Sequence, residues 1–344
     1  MMRSLAVWTT TALVAALGGA AHAQTAAQPA PNAQLQTAMG AYAAFQNDIS
    51  ELRAARVGNA AELETALDRV AHHNREALTR GWVAYGAATA AQSPAFVQGV
   101  REAANYYGRD AVIHAITVDP SYARGLRGGA EATRLMLSSA NADSARVVAV
   151  ADRYQEMAYS IQRQGWAAAV APGQAARVQR VRALGREGAA VSAAPAEVTA
   201  RLAVTPLSFS PANDPTAFGG RRFWDALRGG GETVQVASVP ASYQWRVNAT
   251  RGEALDRMAA IAALQALDAA DANQSAISRI ATDPRSRDCF EMAQLQLYQC
   301  MSAARFRYEN AFCLGQHGLR DVGMCIGAVA QPDPSAVAGR PGRD

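Results

Sequence analysis

Apolar side chains recur at helical spacing along most of the chain. Leu35, Met39, Tyr42, Phe45, Ile49 and Leu52 fall three or four positions apart, which predicts a helix over 35–56 with one face on a core. Beyond Asn59, a good N-cap, Leu63, Leu67, Val70, Asn74, Leu78, Gly81 and Tyr85 keep that spacing and predict a second, longer helix. Ser93-Pro94 opens a third, which Gly108 ends. A capping side chain followed by a residue with no N–H to satisfy is an efficient helix start. A short helix over 110–117 follows, then one from Asp119-Pro120 that Gly125, Gly128 and Gly129 stop. From Glu131 a long helix is expected. Val147, Val150, Tyr154, Met157, Ile161 and Ala168 form its stripe, and Pro172-Gly173 ends it. An arginine-rich helix is expected over 174–184.

Between 186 and 222 the period is lost. Pro195, Pro206, Pro211, Pro215 and paired glycines predict a linker or an extended surface segment. Val234, Val236, Val239, Tyr243, Trp245 and Val247 then alternate well enough for one or two short strands. Thr250 and Glu253 make a T-x-x-E capping box ahead of a helix over 251–272, and Asp283-Pro284 repeats the cap-then-proline start. Ile277, Ile280, Asp283 and Pro284 share the spacing of Ile113, Ile116, Asp119 and Pro120, which reads as reuse of turn chemistry. The expected fold is all-α, an antiparallel helical bundle with a disulfide-clipped C-terminal hairpin. Its expected parts are a signal peptide (1–23), a flexible tether (24–33), a helical region (34–186), an irregular linker (187–249), a second helical region (250–328) and a disordered tail (329–344). The two helical regions either share one core or form two domains.

All four cysteines lie in the second helical region. Cys289 and Cys300 are eleven positions apart, close to three turns, and so share a helix face. If the chain doubles back near 305–308, the inner cysteines face each other and so do the outer ones. Symmetry then favours nested bridges, Cys300–Cys313 and Cys289–Cys325, out of the three pairings that four cysteines allow. Ideal helix would carry Cys313 and Cys325 to different faces, so Gly315, Gly318 and Gly323 predict broken helix between them. The wide spacing departs from the close ligand pairs of zinc sites, and no C-x-x-C-H haem motif occurs.

The N-terminus changes the setting. Arg3, the apolar run 5–17 and Ala21-His22-Ala23 form a secretory signal with cleavage before Gln24. The expected destination is an oxidising compartment, the bacterial periplasm or the exterior, where disulfides persist. Lysine is absent, so all 33 basic residues are arginine. That excludes a P-loop lysine, a Schiff base and an S-x-x-K nucleophile. The net charge of +4 is mild, and no arginine cluster is dense enough to point to nucleic acid.

Candidate chemistry is sparse. His72-His73-Asn74-Arg75-Glu76 is the densest polar cluster. On a continuous helix His72 and Glu76 share a face, where they could bind a metal or form an acid/base pair. Helix phase favours the plainer reading, an exposed pair on a solvated face with Asn74 turned inward to satisfy a buried polar group. His114, among Val112, Ile113 and Ile116, predicts a hydrogen-bonded core histidine. Arg124 and Arg127 with Gly128 and Gly129 precede a helix and could hold an anion. Tyr106, Tyr107 and Arg109 at a helix end could stack on a sugar but more often pack. Gly219-Gly220-Arg221-Arg222 and 229–231 read as loops, lacking the flanking strand and helix of a nucleotide fingerprint. G-x-S-x-G, H-E-x-x-H and papain-like patterns are absent, and no cofactor or metal is indicated.

Two functions fit. One is an exported, non-catalytic scaffold or adaptor that binds an envelope protein or a cell-wall component. The other is a periplasmic enzyme or ligand-binding protein acting on an anionic or sugar-like envelope component through His72, His73, Glu76, His114, Arg124 or Arg127. A pocket gathering several of those residues favours the second, and a flat apolar patch favours the first. The mature chain is expected to carry no free thiol. Mass spectrometry after alkylation without reduction should show no added groups, and four would overturn the disulfide reading.

Overall fold

The computed structural model describes residues 33–188, 218–229 and 245–332. The expected signal peptide, the tether up to Asn32, most of the linker and the tail beyond Pro332 lie outside the described residues. The fold is all-α. No helix among the described residues is long and apolar enough to cross a membrane.

Helices α1 (Ala33–Ala54), α2 (Ala60–Ala71) and α3 (Arg75–Ala90) open the chain, followed by α4 (Pro94–Tyr107), α5 (Arg109–Val118) and α6 (Ser121–Arg124). The long α7 (Gly129–Ile161), a single turn α8 (Gly165–Ala168) and α9 (Gln174–Glu187) come next. Helix α10 (Gly220–Gly229) and strand β1 (Trp245–Val247) precede α11 (Gly252–Ala266) and α12 (Gln274–Ile280). Helices α13 (Pro284–Ala303), α14 (Arg307–Cys313) and α15 (Asp321–Gly327) and strand β2 (Ala330–Pro332) finish it. Helix α11 is buried on nearly every side from Met258 to Ala266, as expected of an alanine-rich helix with no polar face. It packs against α3, where a Cβ on Gly86 would lie 2.2 Å from the Met258 sulfur. Helix α3 packs as closely on α1: a Cβ on Gly81 would stand 2.6 Å from the Ala38 carbonyl. One hydrophobic cluster joins residues from Leu35 to Val329.

Both expected disulfides are present and nested, Cys300–Cys313 inside Cys289–Cys325, with Cα separations of 5.6 and 5.8 Å. The segment between Cys313 and Cys325 is not broken helix. Residues Leu314–Arg320 wind as a π-helix that joins α14 to α15. Twelve residues of α-helix would leave the two cysteines about 120° out of phase. The wider i→i+5 turns advance less per residue and draw both sulfurs back to the α13 side.

Several expected elements differ. The long helix stops at Ile161, because the following chain turns to hold the hairpin tip: Ala171 N–H donates to the Arg305 carbonyl at 2.9 Å, and Gln174 donates to the Ser302 carbonyl at 2.6 Å. Thr250 makes no capping box. Asn248 takes its N–H and hydroxyl instead, and α11 starts at Gly252 without a side-chain cap. The tail begins ordered, since Ala330–Pro332 pairs antiparallel with β1, one of the expected strands.

Gly219-Gly220-Arg221-Arg222, expected as a loop, leads into helix α10. Phe218, Phe223 and Trp224 are buried there: Trp224 packs on Tyr42 and Tyr85, Phe223 on Tyr85, and Phe218 on Phe223. Asp143 on α7 organises this contact. Fully buried, it accepts from the Tyr42 hydroxyl (2.8 Å), the Trp224 indole (2.7 Å) and Gly220 N–H (2.6 Å). Gly219 has φ +79°, and a Cβ there would meet the Ser139 carbonyl at 2.6 Å, so only glycine fits. One turn beyond Asp143, buried Arg146 donates to Gln46 and Ser50 of α1. Replacing either cysteine pair by serine is expected to lower unfolding free energy by about 2–4 kcal/mol. Urea denaturation of the two double variants checks this, and an unchanged midpoint would show that the clip adds nothing.

Candidate functional site

The predicted helix through 59–85 is two helices. Helix α2 ends at Ala71 and α3 starts at Arg75. Asn74 makes the break. Its backbone is extended (φ −64°, ψ 128°), and its side-chain oxygen accepts Ala77 N–H at 3.0 Å while its amide donates to the Gly185 carbonyl at 3.3 Å. Asn offers the backbone an alternative to the helix ladder, which makes it a natural restart point. His72 and Glu76 therefore do not share a helix face. Glu76 instead pairs with Arg80 at 2.7 Å on an exposed surface.

On one side of the corner the histidines meet α1. Asp48 Oδ2 accepts from His72 Nε2 at 2.8 Å and from His73 Nε2 at 2.9 Å, and Oδ1 accepts from Arg69 at 3.1 Å. An ionised carboxylate only accepts, so both imidazoles carry their proton on Nε2. His73 is buried, edge-on to Phe45 at 5.3 Å. Burial pushes its pKa down to about 4, against the opposing pull of Asp48. Burial also pushes the Asp48 carboxyl up, but the hydrogen bonds and charges of His72 and His73 outweigh it and hold that group well below the usual carboxylate range.

Asp48, His72 and His73 offer ligand atoms within 4.8 Å of one another, a spacing a small cation could bridge. The hydrogen-bond pattern argues for a different job. Both Nε2 atoms are spent as donors, and Arg69 places a positive charge on the same carboxylate. The group is a polar staple between α1 and the α2–α3 corner.

On the other side Arg75 enters the interior. It is 3% exposed, and among the described residues none of its three guanidinium nitrogens has a hydrogen-bond partner. Burial lowers its pKa to about 10, so it stays charged at neutral pH. An unpaired buried charge costs about 3–5 kcal/mol. Arg75 lines a cleft of about 360 Å³ between the α3 N-terminus, α9 and α13, with Arg182, Arg186, Gln294 and Tyr298 on its walls and Glu76 and Glu291 also lining it. The Arg182 guanidinium stacks over the Tyr298 ring at 5.3 Å. A Cβ on Gly185 would stand 2.4 Å from the Gln294 amide, so α9 approaches α13 closely there. A second cleft of about 240 Å³ shares Asn74 and is lined also by His73 and Glu187.

The remaining sequence candidates stand elsewhere. His114 is exposed rather than buried, because Val112 and Ile116 carry the α5 core face and His114 lies opposite. Arg124 pairs with Asp256 at 2.6 Å and Arg127 with Glu102 at 2.7 Å, so the two do not combine on an anion. Gly128 and Gly129 there serve close packing against Ala95 and Arg124. Tyr106 and Tyr107 are exposed, and Arg109 donates to the Leu267 carbonyl at 2.8 Å.

Asp48, Arg75, Arg182, Arg186, Gln294 and Tyr298 were not among the expected site residues. Two had a signal. Asp48 sits on the apolar stripe of α1, three after Phe45 and four before Leu52, and Arg75 sits at the head of the stripe Leu78, Thr79, Trp82. No protein-family model matches the chain, and no curated protein or solved structure shows significant similarity to it.

The staple sets a pH dependence. His73 titrates at about 4 when folded and at ~6.5 when unfolded, so its contribution is complete above ~6.5 and is lost as pH falls towards 4. The depressed Asp48 carboxyl adds a loss of the same sign at more acid pH. Between pH 7.5 and 4.5 the wild-type chain should lose about 2–3 kcal/mol more unfolding free energy than His73→Leu. Urea titrations at the two pH values check it, and parallel losses in both chains would show that His73 is not held neutral by the fold.

Proposed function

We propose that the protein is an exported ligand-binding protein of the bacterial cell envelope that holds an anionic or sugar-like envelope component at the α2–α3 corner. One observation carries the reading: a buried, unpartnered arginine, Arg75, lines an open cleft. A cleft with a few placed polar groups is the usual form of a small-ligand site. It gathers Arg75 and Glu76 of the polar cluster, with His73 and Asn74 lining the adjoining cleft. The secretory pattern at the N-terminus and the two disulfides support export. No catalytic step is part of the reading.

A second reading, the scaffold or adaptor, is favoured by an apolar groove of about 310 Å³ beside the Cys300–Cys313 bridge, lined by Tyr159, Tyr308 and Phe312. Tyr159 is 64% exposed and meets Phe312 edge-on.

A photo-crosslinking residue placed at Glu291, at the cleft, or at Tyr159, in the groove, separates the two readings in solubilised envelope. The expected result is a non-protein adduct from position 291. Protein adducts from position 159 alone would overturn the ligand-binding reading in favour of the adaptor.

A further inference from the structure

We propose that the cleft between α3, α9 and α13 is a phosphoryl-binding site, in which Arg182 and Arg186 meet a doubly charged oxyanion above the buried charge of Arg75. The inference rests on the ligand-binding reading above and fixes the chemistry of the ligand.

Among the described residues Arg75 is a buried cation without a counter-charge, and its guanidinium has no hydrogen-bond partner. Ordered water would satisfy its N–H groups but would leave its charge uncompensated. The neighbouring anionic groups do not supply the missing charge. Glu76 and Glu291 are more than half exposed and are engaged by Arg80 and Arg287. Tyr298 cannot serve either. Burial raises its pKa although Arg75, Arg182 and Arg186 all pull it down, so the phenol is neutral and offers a proton to an acceptor. The geometry agrees: all three arginines line the cleft with Tyr298, and the Arg182 guanidinium stands 5.3 Å over its ring.

The wall thus presents three cations, one phenol donor and the Gln294 amide. A carboxylate ligand brings one charge, whereas a phosphoryl group brings up to two and three acceptor oxygens, which suits several arginines at once. Arg182 and Arg186 are exposed and meet the ligand directly. Arg75 lies beneath them, sealed from solvent, where the lower dielectric lets its charge act more strongly than it would in water. The N-terminus of α3, a helix of sixteen residues, adds its partial positive charge on the same side.

Free phosphate and a phosphorylated sugar share this chemistry, and calorimetry on the mature protein separates them. The probes are inorganic phosphate, glucose 6-phosphate and glucose, in a phosphate-free buffer of low ionic strength at neutral pH. Inorganic phosphate is expected to bind saturably at one site, and glucose is expected to give no heat. The double variant Arg182→Gln/Arg186→Gln, altered only at exposed positions, should bind phosphate about tenfold or more weakly. Arg75→Met should weaken binding likewise, and phosphate should raise its melting temperature less than that of the wild type. Tighter binding of glucose 6-phosphate than of phosphate would assign a phosphorylated glycan, and equal binding would assign the free anion. No saturable heat with either anion, or equal affinity in the wild type and the double variant, overturns the proposal. If phosphate fails while position 291 still crosslinks a non-protein component, the ligand-binding reading stands without its phosphoryl group. If phosphate binds and no envelope adduct forms, the anion site stands and the envelope reading falls.

Discussion

The structure depends on ionic groups placed where the helical period calls for apolar ones. Asp143 is the clearest case. Buried in α7, it accepts hydrogen bonds from α1 (Tyr42) and from the α10 segment (Trp224 and Gly220), while Arg146 one turn later reaches back to α1. Burying such a carboxylate is unfavourable unless each lone pair is met. Meeting them requires three separated segments to arrive in one geometry. Alanine-rich helices slide easily against one another, because small side chains interlock poorly. A directional buried acceptor removes that freedom and selects one arrangement.

Asp48 and Arg75 apply the same device with opposite outcomes. Asp48 has three donors and closes the gap between α1 and the α2–α3 corner. Arg75 lies on the other side of the corner, with its nitrogens unmatched. Sequence neighbours thus divide between a satisfied structural group and an unsatisfied one beside a cleft. Asn74 separates them by capping α3 and turning the chain.

Helix existence was legible because apolar spacing survives in most segments, and the caps at Asn59, Ser93 and Asp283 act as expected, each accepting from a backbone N–H three residues on. The cysteine pairing was legible because eleven residues of regular helix set a face. Corners were not. The apolar stripe runs on through Val70 and Leu78 with no phase break at Asn74, so periodicity alone reads one helix where capping chemistry makes two. Helix α10 was hidden by its paired glycines, whose positive φ serves entry into the helix and close approach to Ser139. The cleft was hidden for another reason. Its walls come from residues about 110 and 220 positions apart in the chain, and no local pattern reports such a meeting.

The π-helical stretch at 314–320 ties winding to covalent topology. Wound as α-helix, the same twelve residues would carry the cysteines about 120° apart around the cylinder, whereas one residue fewer would leave them eleven apart and in phase. The wide turns therefore act as a phase adjuster, taking up one surplus residue by turning less at each step. In this hairpin the handed geometry of the backbone and the position of two sulfur atoms form one inherited unit, so a change of winding there, at constant length, would change crosslinking without touching any cysteine.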